Sequence, residues 1–376
     1  MSRLKVLALF LLSLSIWACG EQKEQATLEA STDERPRAKF EPSDGEVILF
    51  AGQSLAALGG LDEYNDGYLD HFETPGGFTM YTKILPPQRE INHKYELLPG
   101  LVTTDDWGDG PNNMQLQIDD TDFQHSALAI GLELVDYENA TANGEMDSMV
   151  IALGEWIKGL GNRPVFLRIG YEFDGHDWNH YDREGYLGAY KRIYHMYDSM
   201  QIDNIAYVWQ STGWGSSYMD LKDWYPGDEY VDWCAYSHFA RHPEAAPLFQ
   251  FARDHKKPVM IAEATPTLPT ETIKTDGKTK ETKLDNPTQA QEALEQWFKP
   301  FFQVVYENED VVKAIHYINT DWHNYSMWKT NPTFQDIDAR LQLNQEIKSY
   351  WIEETSKPKY LKASPDLFSK LWGIEE

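Results

Sequence analysis

Two glutamates, each at the end of an apolar run, are the strongest candidates for chemistry in this sequence. Glu172 follows the run 164–171, and Glu263 follows a second run that begins at Lys257. Burying a carboxyl group at the mouth of an apolar strand costs free energy, so such a position usually serves binding or catalysis. If both strands belong to one parallel barrel, the two carboxyls converge at its carboxyl-terminal end, where a glycosidase needs them.

The surroundings of the two glutamates predict different roles. Retaining glycoside hydrolysis needs one protonated carboxyl as general acid and one ionised carboxylate as nucleophile. Glu172 is the better acid, because Tyr171 and Phe173 flank it and a second carboxylate faces it. Glu263 is the better nucleophile, since an inward-facing Arg168 could hold it in the ionised state. The alternative is a buried ion pair between Arg168 and Glu172 that has no catalytic role.

Eight apolar segments, separated by helical patterns, are the elements that must position these residues. The segments are 46–53, 77–84, 127–134, 164–171, 204–210, 231–238, 257–263 and 312–319. Eight parallel strands alternating with helices form a closed barrel. We therefore predict an α/β fold, a (β/α)8 TIM barrel with a single catalytic domain over residues 45–355 and a C-terminal extension over residues 356–376.

Apolar side chains repeat at helical spacing between these strands. The clearest examples run from Met146 to Leu160 and from Tyr186 to Met200. Asn286-Pro287 predicts the start of a helix, and Asn331-Pro332 is expected to precede a last long helix that includes Trp351. The polar residues 266–287 directly follow Glu263, and we expect them to form a loop over the site.

The N-terminal segment is typical of a bacterial lipoprotein. Arg3 and Lys5 precede an apolar run that is too short to span a membrane, and residues 16–20 resemble a lipobox around Cys19. We expect residues 1–18 to be a signal peptide, Cys19 to be lipidated and residues 19–44 to be a flexible tether. The mature protein would then be extracytoplasmic, anchored to a bacterial membrane, which we expect to be the outer one. An ordinary signal peptide with an incidental cysteine is the alternative.

Charge and cysteine content limit the partners. The net charge of −27 argues against nucleic acid and against membrane contact other than through the lipid anchor. It does not exclude a neutral polysaccharide, which binds through aromatic stacking and hydrogen bonds. Cys234 is the only other cysteine, so the mature protein has no intramolecular disulfide available, and we expect a monomer.

Other residues near the predicted strand ends are expected to bind substrate. They are Arg168, Trp178, Trp209, Gln210, Tyr236, His238, Asn319 and Trp322. The hydroxyl of Tyr236 could orient the nucleophile, and the indole of Trp322 could stack beneath a sugar. The histidines and aspartates between 176 and 182 match no metal-ligand spacing, so we expect neither a metal nor a cofactor.

Four segments of the chain resemble glycoside hydrolase family 26 and its relatives in the same barrel clan. They are 168–175 with Trp178 shortly after, 208–210, 225–233 and 257–263. The resemblance implies a (β/α)8 barrel and a metal-free double displacement on a β-linked polysaccharide. It also implies that Glu172 is the acid/base and Glu263 the nucleophile. Mannanases of that family commonly have His before the acid/base, whereas this chain has Tyr171, so the resemblance leaves the sugar open.

The predicted function is therefore a retaining β-glycoside hydrolase, endo-acting on a plant or algal polysaccharide of the mannan or xylan type. One alternative is a hydrolase from the same clan that acts on red-algal galactan such as carrageenan, distinguished by Arg and Lys lining its cleft. Another is a non-catalytic carbohydrate-binding surface lipoprotein. The presence of both glutamates favours the enzyme.

Overall fold

Eight parallel strands close into a barrel, because the last strand pairs with the first. In chain order they are β1 Val47–Gly52, β2 Gly77–Lys83, β3 Ala127–Glu133, β4 Val165–Ile169, β5 Ile205–Ser211, β6 Trp233–His238, β7 Val259–Ala264 and β8 Val312–Tyr317. Each observed strand begins and ends within two residues of its predicted segment. The predicted (β/α)8 TIM barrel is confirmed.

The computed structural model describes residues 36–374, apart from residues 87–89, 92–93, 96–97, 240–244 and 270–278. The predicted signal peptide and Cys19 lie outside the described residues, as do parts of the tether and of the loop after Glu263. The compact unit that contains the barrel begins at Arg37, and it includes the segment after residue 355.

Helices surround the barrel. In chain order they are α1 Leu55–Leu58, α2 Met114–Ile118, α3 Glu138–Asn143, α4 Asp147–Gly159, α5 Arg183–Ser199, α6 Tyr218–Trp224, α7 Ala246–Asp254, α8 Pro287–Ala293, α9 Lys299–Glu307, α10 Gln345–Thr355 and α11 Leu367–Leu371. Within the described ranges, none of the helices is long and apolar enough to cross a membrane.

Side-chain caps mark the starts of some of these helices. Asn286 caps α8 as predicted, because its side chain accepts hydrogen bonds from the first turn. The expectation that Asn331-Pro332 precedes the last long helix is wrong, since α10 begins at Gln345 and is capped by Asn344. Pro332 lies instead in a series of turns after β8, where its fixed φ serves a turn as well as a helix start.

The amino-terminal end of the barrel is filled by apolar side chains. Phe166 and Trp233 lie inside it and pack edge to face, with ring centroids 5.2 Å apart. Phe40, from the segment before β1, and Leu367, from α11, cover this cluster. A short strand β9, Tyr360–Leu361, pairs in parallel with the start of β1. Segments from both ends of the folded unit therefore cover the amino-terminal end of the barrel. The candidate site lies at the opposite end, where the strands end.

Candidate active site

Glu263 reaches the barrel interior through an irregularity in β7. The register of β7 against β6 shifts by one residue, so that Glu263 lies opposite Ser237 and Ala262 has no partner there. Ala262 packs inside the barrel, and the extra residue turns the next side chain inward as well. Bulges of this kind are known to redirect side chains next to active sites.

Arg168 fixes the carboxylate of Glu263 at the centre of the mouth. The Arg168 side chain is fully buried, and its Nη1 donates to Glu263 Oε1 at 2.8 Å and to Gln210 Oε1 at 2.9 Å. Burial works against the charged guanidinium, but the neighbouring Tyr81 and Glu263 raise the pKa of Arg168 above its usual value. The expected contact between Arg168 and Glu263 is therefore present, and it supplies a positive charge directly beside this carboxyl group.

Tyr81 and Gly131 shape the space around this ion pair. The hydroxyl of Tyr81 lies within hydrogen-bonding reach of both Arg168 and Glu263, and the guanidinium lies 5.0 Å from the centre of its ring. Gly131 on β3 leaves the room that both side chains need. A Cβ there would lie 2.4 Å from the Tyr81 ring and 2.9 Å from an Arg168 nitrogen.

Gln210 and Ser237 link the two glutamates. Because a guanidinium can only donate, Gln210 must turn its Oε1 to Arg168 and its amide nitrogen away from it. That nitrogen lies 3.1 Å from Ser237 Oγ and 3.3 Å from Glu263 Oε1. The Ser237 hydroxyl in turn donates to Glu172 Oε1 at 2.5 Å. One hydrogen-bonded chain therefore connects Glu263 to Glu172.

Glu172 is held by the loop after β4 and not by the strand itself. β4 ends at Ile169, and both Gly170 and Glu172 adopt positive φ, at 55° and 51°. Strand alternation therefore holds at Arg168 but does not extend to Glu172. The indole of Trp178 donates to Glu172 Oε2 at 2.8 Å, and its ring passes so close to Gly175 that a Cβ there would lie 2.5 Å away.

Burial and the negative charge of Glu263 raise the pKa of Glu172 to about 8. The hydrogen bonds from Ser237 and Trp178 act in the opposite direction, because they favour the ionised carboxylate. At neutral pH Glu172 is therefore mainly protonated, while Glu263 lies against a guanidinium. These are the different environments that an acid and a nucleophile require.

Three of the predicted substrate-binding residues face away from the cleft. Trp209, Tyr236 and His238 are buried in the layer between strands and helices. Trp209 stacks on Phe173 with centroids 4.6 Å apart, and Tyr236 bonds to His238 Nδ1 at 3.1 Å rather than to the nucleophile. The structure does not bring these three side chains to the cleft, because side chains alternate along a strand. Once Gln210 points inward, its neighbour Trp209 must point outward.

The structure does not bring Asn319 and Trp322 to the cleft either. Asn319 is buried and accepts a hydrogen bond from the backbone of Leu341 at 2.8 Å, so it fixes the loop after β8. Trp322 is only 1% exposed, and it stacks on Phe334 with centroids 4.4 Å apart. Neither side chain is available to a sugar. Arg168, Gln210 and Trp178 remain at the site.

Sequence reasoning missed Tyr81 and Ser237. Alternation could have found Ser237, because Trp233 and Ala235 on the same strand face the interior and place it inward too. Tyr81 lies at the end of β2, where its aromatic ring was indistinguishable from a packing residue. In the described part of the chain, no group of three or more His, Cys, Asp or Glu side chains is arranged to hold a metal ion.

Two buried carboxyl groups, one against a guanidinium and one with a raised pKa, joined by hydrogen bonds at the mouth of a (β/α)8 barrel, are the arrangement of a glycosidase. Residues 108–332 match the model of glycosyl hydrolase family 26. The chain belongs to this family, and the predictions of the family and of a glycoside hydrolase are confirmed.

Two relatives of known activity are similar over most of the chain. A β-1,3-xylanase, TXYA, from a Vibrio species is 33% identical over 350 residues, which is 87% of this chain and 70% of the relative. A β-1,3-xylanase from an Alcaligenes species is 31% identical over 352 residues, 89% of this chain and 70% of the relative.

Solved structures of the family share the fold at low sequence identity. The GH26C protein of a Muricauda species superimposes with a TM-score of 0.56 at 15% identity, covering 86% of this chain and 90% of its own. A GH26 β-mannanase from Bacteroides ovatus gives a TM-score of 0.53 at 12% identity, covering 86% of this chain and 93% of its own.

The hydrogen bond from Ser237 lowers the pKa of Glu172, and a substitution at Ser237 tests this effect. Replacing Ser237 with Ala removes a donor to the carboxylate, so the pKa should rise by roughly one pH unit above that of the unaltered protein. Carboxyl-carbon NMR of protein labelled at glutamate measures it. Ser216→Ala is the matched control, because that hydroxyl donates to Asp174 instead. An unchanged or lower pKa in Ser237→Ala would contradict the role assigned to this hydrogen bond.

Proposed function

We propose that this protein is a retaining, endo-acting hydrolase of β-1,3-linked xylan, with Glu172 as acid/base and Glu263 as nucleophile. The observation that carries the proposal is the difference between the two carboxyls: Glu263 is paired with Arg168, and burial raises the pKa of Glu172 to about 8. The xylan linkage is supported by the two β-1,3-xylanases that are 33% and 31% identical to this chain.

In the first step, protonated Glu172 donates its proton to the glycosidic oxygen while Glu263 attacks the anomeric carbon. Arg168 and Gln210 both contact Glu263 Oε1, so they orient the carboxylate during the attack. In the second step, ionised Glu172 takes a proton from water, which displaces Glu263 and restores the original configuration. Ser237 and Trp178 can stabilise that ionised form through the hydrogen bonds they donate.

The rim of the cleft favours a neutral polymer over a sulfated galactan. Glu133 ends β3, and burial raises its pKa, while Lys83 at the end of β2 opposes that rise. Asp109, in the loop after β2, also has its pKa raised by burial, to about 7. Two carboxyl groups surround one lysine at this rim, so these residues offer a sulfated chain no excess of positive charge. Xylan carries no such charge.

Digestion of β-1,3-xylan followed by proton NMR tests both the substrate and the stereochemistry. We expect short oligosaccharides from early in the reaction, with the β-anomer formed first, because double displacement retains configuration. β-1,4-xylan, β-mannan and carrageenan serve as comparison substrates. A first-formed α-anomer, or faster release from one of the comparison polymers, would contradict the proposal.

Substituting each glutamate by Gln should separate the two roles. Glu172→Gln should lower kcat on xylan by about 10²–10⁴-fold, the contribution of a general acid. It should keep far more activity on a β-xylobiosyl fluoride, whose leaving group needs little protonation. Glu263→Gln should lose activity on both substrates, because no covalent intermediate can form.

Glu354→Gln is the matched control for these variants. Glu354 is a buried glutamate in α10 that bonds to Lys357 and Tyr306, far from the strand ends that carry the site. The activity of the Glu354→Gln variant on xylan should stay close to that of the unaltered protein. Near-normal turnover on xylan in either Glu172→Gln or Glu263→Gln would overturn the assignment.

We also propose that the protein is a lipid-anchored, extracytoplasmic enzyme that acts as a monomer without nucleic-acid partners. The lipobox-like sequence around Cys19 supports the anchor, and the net charge of −27 argues against nucleic acid. Cys19→Ser should move the protein from the membrane fraction to the soluble fraction, as followed by immunoblotting. Unaltered fractionation of this variant would count against the anchor.

A further inference from the structure

Two tryptophans are exposed at the mouth of the barrel, on the loops that follow β4 and β5. Trp178 is 49% exposed and Trp214 is 63% exposed. Keeping a large apolar ring in water forgoes the free energy that its burial would contribute. Aromatic rings presented to solvent at the rim of a cleft are suited to stacking against the flat faces of sugars.

The loop that carries Trp214 is held in place before any ligand binds. The carboxylate of Asp174 accepts hydrogen bonds of 2.6 Å from Ser211 Oγ, from Ser216 Oγ and from the backbone nitrogen of Thr212. The hydroxyl of Thr212 also accepts a hydrogen bond from the backbone nitrogen of Trp214 at 3.2 Å and donates one to the carbonyl oxygen of Trp214 at 3.3 Å. A ring held this way loses little conformational freedom on binding, which favours affinity.

Gly213 allows the loop to turn the indole outward. Its φ is +70°, a conformation that glycine adopts without strain, and a Cβ there would lie 2.6 Å from the Tyr236 ring. The loop therefore packs closely on β6 at Gly213 while the next residue, Trp214, points into solvent. The exposure of Trp214 therefore follows from the backbone conformation and packing of Gly213.

The position of this loop identifies the part of the substrate that it would meet. Asp174 lies two residues after Glu172 on the same loop, so its hydrogen bonds tie the Trp214 loop to the proposed acid. A general acid protonates the oxygen of the leaving group, so the sugars that leave lie on its side of the scissile bond. Trp178 is on that side too, because its indole donates to Glu172.

We propose that Trp214, together with Trp178, forms a stacking platform for the leaving-group xylose units of the polymer. This inference rests on the proposed function, because it takes Glu172 as the acid. The platform binds the displaced sugars in the first step. It also holds an acceptor sugar that can attack the covalent intermediate in place of water, with ionised Glu172 taking the acceptor's proton and Glu263 leaving.

Comparison of two substrates tests the platform. β-1,3-Xylan occupies the leaving-group side, whereas the β-fluoride of β-1,3-linked xylobiose leaves only a fluoride ion there. Trp214→Ala should lower kcat/KM on xylan by roughly 3- to 10-fold, the effect expected from the loss of one aromatic stacking contact. Hydrolysis of the fluoride should stay within about twofold, which also reports that the variant is folded. Trp214→Phe should restore most of the activity on xylan.

Transfer products give a second measurement. With the fluoride as donor and a β-1,3-xylo-oligosaccharide as acceptor, Trp214→Ala should lower the ratio of transfer to hydrolysis. Met219→Ala is the matched control, because Met219 is an apolar residue in α6, 61% exposed, that the platform does not include. It should leave xylan kinetics and the transfer ratio unchanged.

Equal losses on xylan and on the fluoride in Trp214→Ala would overturn the platform, because they would indicate a role at the reacting centre or in folding. Unchanged xylan kinetics in Trp214→Ala would overturn it as well. In either case, fluoride hydrolysis that Glu263→Gln abolishes would leave the proposed function standing, so the two failures are distinguishable.

Discussion

Arg168 carries a full positive charge into the interior of the barrel, where none of its side chain meets solvent. Removing such a charge from water costs several kcal/mol, and only close partners offset that cost. Glu263 is the partner that carries the compensating charge, and the rings of Tyr81 and Tyr171, whose centres lie 5.0 and 5.5 Å from the guanidinium, add weaker attraction. Folding therefore places the cation that a nucleophilic carboxylate needs directly against Glu263.

The other contacts at the mouth follow from that ion pair. Arg168 fixes the orientation of the Gln210 amide, the amide fixes the hydroxyl of Ser237, and the hydroxyl reaches Glu172. Two departures from regular backbone complete the arrangement: the bulge that turns Glu263 inward and the positive φ of Glu172. A left-handed conformation at a residue with a Cβ costs about 1–2 kcal/mol. Packing within the barrel and at its apolar amino-terminal end supplies the stability that offsets this cost.

The sequence was sufficient to predict the barrel and the place of its two glutamates at strand ends. Apolar runs of strand length and apolar residues at helical spacing can be recognised from the order of neighbouring residues alone. The sequence was also sufficient for the contact between Arg168 and Glu263, since strand alternation holds within β4. Alternation failed at Glu172, where the chain has left the strand, and it does not predict the bulge before Glu263. The aromatic residues Trp209 and Trp322 lie away from the expected position for another reason. A ring that stacks on a sugar and a ring that stacks on Phe173 or Phe334 look the same in sequence.

The raised pKa of Glu172 depends in part on the charge of Glu263, and this dependence suits a two-step reaction. While Glu263 is ionised, its field and the burial of Glu172 keep the proton on the acid. Once Glu263 is bonded to the sugar it is neutral, and the repulsion that held the proton on Glu172 disappears. The hydrogen bonds from Ser237 and Trp178 remain and favour the ionised carboxylate. In the proposed mechanism, the pKa of Glu172 therefore falls at the step in which this residue acts as a base.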